Sequence, residues 1–159
     1  MGMRRQTDVR RSIAVIGTQS PARSLAMAKI LDDCIARHGW SERLSVRVSG
    51  FGPGAGPVAP GESEHLAAAG WGPSDLACPA LESSPELVEA ADYLVVGSDE
   101  EASLFIQWPG AEGKPVLAFC DFADPEASVL NDPRADLASF CHELVEAVPS
   151  LLRSIVAAQ

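Results

Sequence analysis

No apolar run in this chain of 159 residues approaches the ~20 residues that a helix needs to cross a bilayer. Basic residues are scarce as well. Twelve Lys and Arg stand against 22 Asp and Glu, a net charge of −10 and a pI near 4.6. That balance argues against nucleic acid and against anionic membrane surfaces, both of which call for a basic patch. The four cysteines, Cys34, Cys78, Cys120 and Cys141, form no CxxC pair, and His38, His65 and His142 show no ligand spacing. No zinc site, cofactor or disulfide framework is therefore expected, and the thiols should be reduced. No internal repeat is visible. The basic opening residues are followed by an apolar stretch too short for a secretory signal, and Gln6 breaks the myristoylation pattern. A cytoplasmic location is the expectation.

Apolar residues make up 47% of the chain, enough to bury a real core. The most informative stretch is Ser12 to Leu31. Ile13 to Ile16 is continuous, apolar and partly β-branched, as a buried strand is. Gly17 to Ala22 is small and polar and predicts a tight loop. From Arg23 the spacing turns helical, with Leu25, Met27, Ala28, Ile30, Leu31, Cys34 and Ile35 on one broad face. Strand, short loop and helix make an anion cradle: loop N–H groups and the first turn's free N–H groups converge, and the helix end adds roughly half a positive charge. Arg23 contributes a planar fork that can grip two oxyanion oxygens.

Residues 1–11 read as a flexible leader and 12–159 as one domain. Further strands are expected at Leu44–Val48, Asp92–Gly97 and Lys114–Cys120. Helices are expected over Glu62–Gly70, from Ser83 with Ser84 as N-cap, from Ser98 through Ile106, and over Arg134–Ala158 with a kink or split at Pro149. Ser49 to Gly61, dense in glycine and proline, predicts an exposed loop. Apolar strands separated by helices require crossovers. The fold class is thus α/β, three layers α/β/α around a four-stranded, mostly parallel sheet. In such sheets ligands bind at the carboxyl ends of the strands, where the 17–24 loop lies.

The loop ending in Arg23-Ser24 resembles the phosphate-binding loop of the low-molecular-weight protein tyrosine phosphatases, which reads Cys, five residues, Arg, Ser at the end of the first strand. Leu87 to Asp92 followed by an apolar strand resembles that family's central segment. The resemblance covers roughly residues 12 to 156. It implies an anion-binding loop formed by Gly17, Thr18, Gln19, Ser20, Ala22, Arg23 and Ser24, a pocket wall at Phe51, and a general acid in the Asp124-Pro125 pair, with Asp132-Pro133 as a competitor. The departures fall on the diagnostic motif. Gly17 stands where the nucleophilic cysteine should be, Gln19 and Ser20 replace a glycine and an asparagine, Ala22 a cysteine and Leu25 a proline. Glu126 follows Pro125 where an aromatic is usual.

Hydrolysis by the family route needs a thiolate at the loop base. Gly17 has no side chain, and no base is evident to activate Thr18 or Ser20. The expectation is a catalytically impaired phosphatase-like protein that binds a phosphate or other oxyanion ligand, small molecule or protein, or a protein partner, at this loop. Two alternatives remain. One is an enzyme of small-molecule metabolism that reuses the cradle through Arg23, Ser24, Thr18, Ser20 and Asp124, or a weak phosphomonoester hydrolase. The other is an interaction domain with an empty loop. The oligomeric state is not legible.

Overall fold

The computed structural model describes residues 10–68, 77–123, 130, 132 and 134–157, apart from the side chains of 67 and 68. Among these residues six strands and five helices follow in order: β1 (Arg11–Gly17), α1 (Pro21–Arg37), β2 (Leu44–Gly50), β3 (Gly56–Pro57), α2 (Pro60–Ala68), β4 (Ala77–Cys78), α3 (Glu86–Ala90), β5 (Tyr93–Val96), α4 (Asp99–Phe105), β6 (Val116–Ala118) and α5 (Leu137–Ala157). Four strands form a fully parallel sheet in the order β2-β1-β5-β6. Both faces are covered, so alternate residues of one strand enter different cores. Ile13, Val15, Tyr93 and Val95 pack with α1 and α5. Ala14, Ile16, Leu94 and Val96 pack with Leu81, Leu87, Val88 and Phe105 on the other face. This is the three-layer arrangement that near-continuous apolar strands require. Among the described residues no helix is long and apolar enough to cross a membrane.

Several boundaries differ from expectation for local reasons. Arg11 is already in β1, its N–H donating to Arg43 O at 2.8 Å. α1 starts at Pro21, two residues early. Ser20 caps it, accepting from Arg23 N at 3.1 Å, and Pro21 takes the first-turn position where a missing N–H costs nothing. Ser84 does not cap by its side chain; Leu81–Ser83 forms a 3₁₀ turn and α3 begins only at Glu86. β6 is three residues long, shorter than the expected Lys114–Cys120, because Phe119–Phe122 winds into a 3₁₀ turn that buries Phe119. α5 starts at Leu137, with Asp136 Oδ1 accepting from Ser139 N at 2.7 Å. That bond holds the Asp136 carboxyl below its usual range. Pro149 neither splits nor ends α5. The buried stripe Leu144, Ala147, Val148, Leu151, Leu152 and Ile155 spans it and outweighs one lost backbone bond.

The glycine–proline stretch is only partly a loop. Gly52–Gly54 is a 3₁₀ turn, and Gly56–Pro57 pairs antiparallel with Ala77–Cys78. Gly54 is buried against the end of β1. The turn is thus a fixed wall of the region where β1 meets α1.

Candidate functional site

β1 ends at Gly17, at the carboxyl edge of the sheet, and the 18–20 loop leads into α1. Gly17 O accepts from Phe51 N at 2.9 Å, which ties the loop base to the segment after β2. Ser24, fully buried, lies under the loop with its hydroxyl 3.0 Å from Gly54 O and 3.1 Å from Ser20 O. A side chain at Gly17 has no room: its Cβ would lie 2.0 Å from Ser24 Oγ and 2.8 Å from Ser24 Cβ. The end of β1 therefore carries no side chain and is closed by packing.

The loop's anion is supplied from within the chain. Glu101, in the first turn of α4, is buried, with 6% of its surface exposed. Its Oε2 accepts from Thr18 N at 2.9 Å and from the Thr18 hydroxyl at 2.8 Å. Its Oε1 accepts from Gly97 N at 3.2 Å, Ser98 N at 3.0 Å and Ser98 Oγ at 3.0 Å. Ser98 and Glu101 form a capping box, so one oxygen closes the helix start and the other reaches across to the β1–α1 loop. What remains between Gly17, Thr18, Gln19, Arg23, Met27, Glu101 and Phe140 is about 10 Å³. That is no more than roughly one water position.

Arg23 is buried at the edge of this space, and its donors are taken by groups of the chain itself. Its guanidinium lies over the Phe140 ring at 4.6 Å, an arrangement with a cation–π component. It donates to Gln19 Oε1, to Asp132 O at 3.1 Å and to Ala135 O. Burial pulls it below its ordinary pKa, against the raising fields of Glu62, Asp132 and Glu101. The arginine thus ties α1 to the chain entering α5. Asp132, the competing Asp-Pro position, has its carbonyl on Arg23, while its Oδ1 accepts from Arg134 N at 2.9 Å in its own turn. Asp124, the favoured position, lies outside the described residues, as do Pro125 and Glu126.

Of the other expected residues, Gln19 binds Arg23, Ser20 caps α1 and Ala22 is buried. Phe51 is half-buried and meets Phe105 and Trp108 edge-on, with centroids at 6.2 Å and 5.0 Å. Its ring lines a groove with Thr18, Pro53, Glu100, Glu101 and Leu104. Glu101 was not foreseen as a site residue. Its sequence signal was the S-x-x-E capping box at Ser98, but that motif shows only one of the two carboxylate oxygens at work. Asp99, Cys120 and Asp121 also meet, with donor atoms within 4.8 Å of one another.

Three of the four thiols are held above their ordinary pKa. All four cysteines are free, and Cys34, Cys78 and Cys141 are buried. Burial pushes Cys78 and Cys141 up to about 11 and, with added repulsion from Asp99 and Asp121, Cys120 up to about 12. A raised thiol pKa leaves little thiolate at neutral pH, and more appears only as pH rises toward that value. Iodoacetamide at pH 7.5 should modify Cys78, Cys120 and Cys141 roughly a hundredfold or more slower than an ordinary thiol of pKa ~8.5. The rate should climb steadily to pH 10. A fast thiol protected by phosphate would place a nucleophile that these positions exclude.

Comparison with known proteins agrees with this architecture. No protein-family model matches the chain, and no curated protein matches it in sequence. Solved structures do. YfkJ from Bacillus subtilis superposes with a TM-score of 0.70 at 16% identity, over 95% of this chain and 98% of that one. A low-molecular-weight phosphotyrosine phosphatase from Vibrio cholerae O395 gives 0.68 at 18%, over 91% and 95%. The low-molecular-weight protein tyrosine phosphatase from T. tengcongensis gives 0.64 at 18%, over 91% and 99%. The chain has the three-layer α/β fold, with its four-stranded parallel sheet, of the low-molecular-weight protein tyrosine phosphatases.

Proposed function

We propose that this chain is a phosphatase-fold protein without cysteine-dependent phosphatase activity, and that it works by binding a partner. The observation that carries this reading is the Glu101 carboxylate on Thr18 N, at the place where the loop would present donors to an oxyanion. Three facts support it. Gly17 supplies no nucleophile, and the Cys78, Cys120 and Cys141 thiols are held in the protonated form. About 10 Å³ cannot admit a phosphoryl group. An enzyme with different chemistry would draw on Thr18, Ser20, Arg23 and Ser24, yet each of these is committed: to Glu101, to the helix cap, to the approach to α5, and to the loop base.

The test is release of an aryl alcohol from an activated aryl phosphate. The wild-type protein should show trace turnover at most, since loss of a nucleophile can cost about a millionfold. Sustained turnover that depends on Arg23 would sink the proposal.

A further inference from the structure

We propose that the mouth of this site is a docking groove for a basic segment of a partner protein. The inference rests on the reading above and names the class of partner. Outside the filled cradle, between the Gly52–Gly54 turn and α4, lies a groove of about 340 Å³ lined by Thr18, Phe51, Pro53, Glu100, Glu101 and Leu104. Its floor is apolar and held still. Phe51 is braced edge-on by Phe105 and Trp108, and Leu104, 43% exposed, and Pro53 form the sides.

The charge around this floor is of one sign. Glu100 is exposed on the rim and Glu101 closes the inner end, while among the described residues no lysine or arginine lines the groove. Asp99, next to Glu100 in the chain, and Asp121 beside it add two more carboxylates at the same end of the sheet. The nearest described guanidinium behind the cradle, Arg23, is turned to the carbonyls of Asp132 and Ala135. A phosphate ester entering here would meet carboxylates first. A lysine or arginine meets complementary groups along its whole length: its methylene stem lies on Leu104 and Pro53, its head pairs with Glu100, and the Phe51 ring offers a cation–π face. A protein segment with alternating basic and aliphatic residues uses both the carboxylate rim and the apolar floor, whereas a small amine uses only the rim.

The experiment is a fluorescence-anisotropy titration with a short labelled peptide alternating Arg and Leu. A second peptide carries Glu in place of every Arg. Wild-type protein should bind the basic peptide, more weakly at higher salt, and should not bind the acidic one. Glu100→Lys should weaken binding at least tenfold, and Leu104→Ser should weaken it by a similar factor without a charge change. Both residues are exposed, so the fold should hold, and melting curves check this. Glu42→Lys makes the same charge change on an exposed residue ahead of β2, at the opposite end of the sheet, and should leave binding unchanged. No binding, or equal losses for Glu42→Lys and Glu100→Lys, overturns the groove. A protein inactive on aryl phosphate that ignores the peptide loses this inference and keeps the reading above; one that hydrolyses the ester loses that reading first.

Discussion

Glu101→Ala should destabilise the protein by about 2–4 kcal/mol and, in the same step, create a phosphate response that the wild type lacks. The carboxylate is the common acceptor of Thr18 N, Thr18 Oγ1, Gly97 N, Ser98 N and Ser98 Oγ. Removing it strands donors in a part-buried to buried setting and deletes half of the α4 capping box. The cost stays below the sum of the bonds, because relief of carboxylate desolvation and entry of water offset part of it. For a chain of this size the melting temperature should fall by roughly 5–15 °C. The vacated space and the freed Thr18 N–H then form an oxyanion site of the kind that the β1–α1 connection predicts from sequence. Added phosphate should raise the melting temperature of Glu101→Ala by mass action and leave the wild type nearly unmoved. Glu101→Gln keeps the shape but turns its amide N–H₂ toward other donors, either at Thr18 or at Ser98. It should be destabilised as well, with a smaller phosphate response. A wild-type protein stabilised by phosphate as strongly as the Ala variant would mean that Glu101 does not hold the cradle.

The contrast between what the chain shows in sequence and what only the fold shows runs through this one carboxylate. The layers were legible because the signals are local and periodic. Ile13–Ile16 and Tyr93–Val96 are too apolar for a one-sided sheet, and the helical stripes of α1 and α5 give each of their faces a partner. The Ser98–Glu101 box is local as well, and Gly39, with φ of +72°, follows the end of α1; the start of α1 lies two residues before the expected one, because its apolar spacing begins only after Pro21. The state of the cradle was not legible, because it depends on a contact 83 residues away in the chain, from Thr18 to Glu101. Arg23 misleads for the same reason. An arginine in a loop-to-helix turn suits an oxyanion, and nothing nearby in sequence shows that the carbonyls of Asp132 and Ala135, more than 100 residues away, take its donors.

The glycines at the loop base set the other large effect. Gly54→Ala should cost about 3 kcal/mol, the upper end of the usual overpacking range, because the added atom strikes backbone rather than a movable side chain. An added Cβ would lie 1.9 Å from Gly17 O, 2.4 Å from Gly17 C and 2.8 Å from Thr18 N. The turn would have to lift off the β1 end, stretching the Phe51 N to Gly17 O bond and the Ser24 hydroxyl contact with Gly54 O. The melting temperature should drop by roughly 6–12 °C. Gly17→Cys meets the same packing from the other side. Its Cβ would press on Ser24 Oγ and Cβ, so this variant too should melt early, and Ser24→Gly in the same chain should recover part of the loss by removing both atoms. Activity should not follow stability. With the thiol in place, Glu101 still occupies Thr18 N–H, Pro21 still offers no donor, and Arg23 still faces α5. Aryl phosphate turnover by Gly17→Cys, alone or with Ser24→Gly, should stay weak at best. A Gly17→Cys protein as stable as wild type with full turnover would show an open loop at the end of β1, against the 10 Å³ and the buried carboxylate found there.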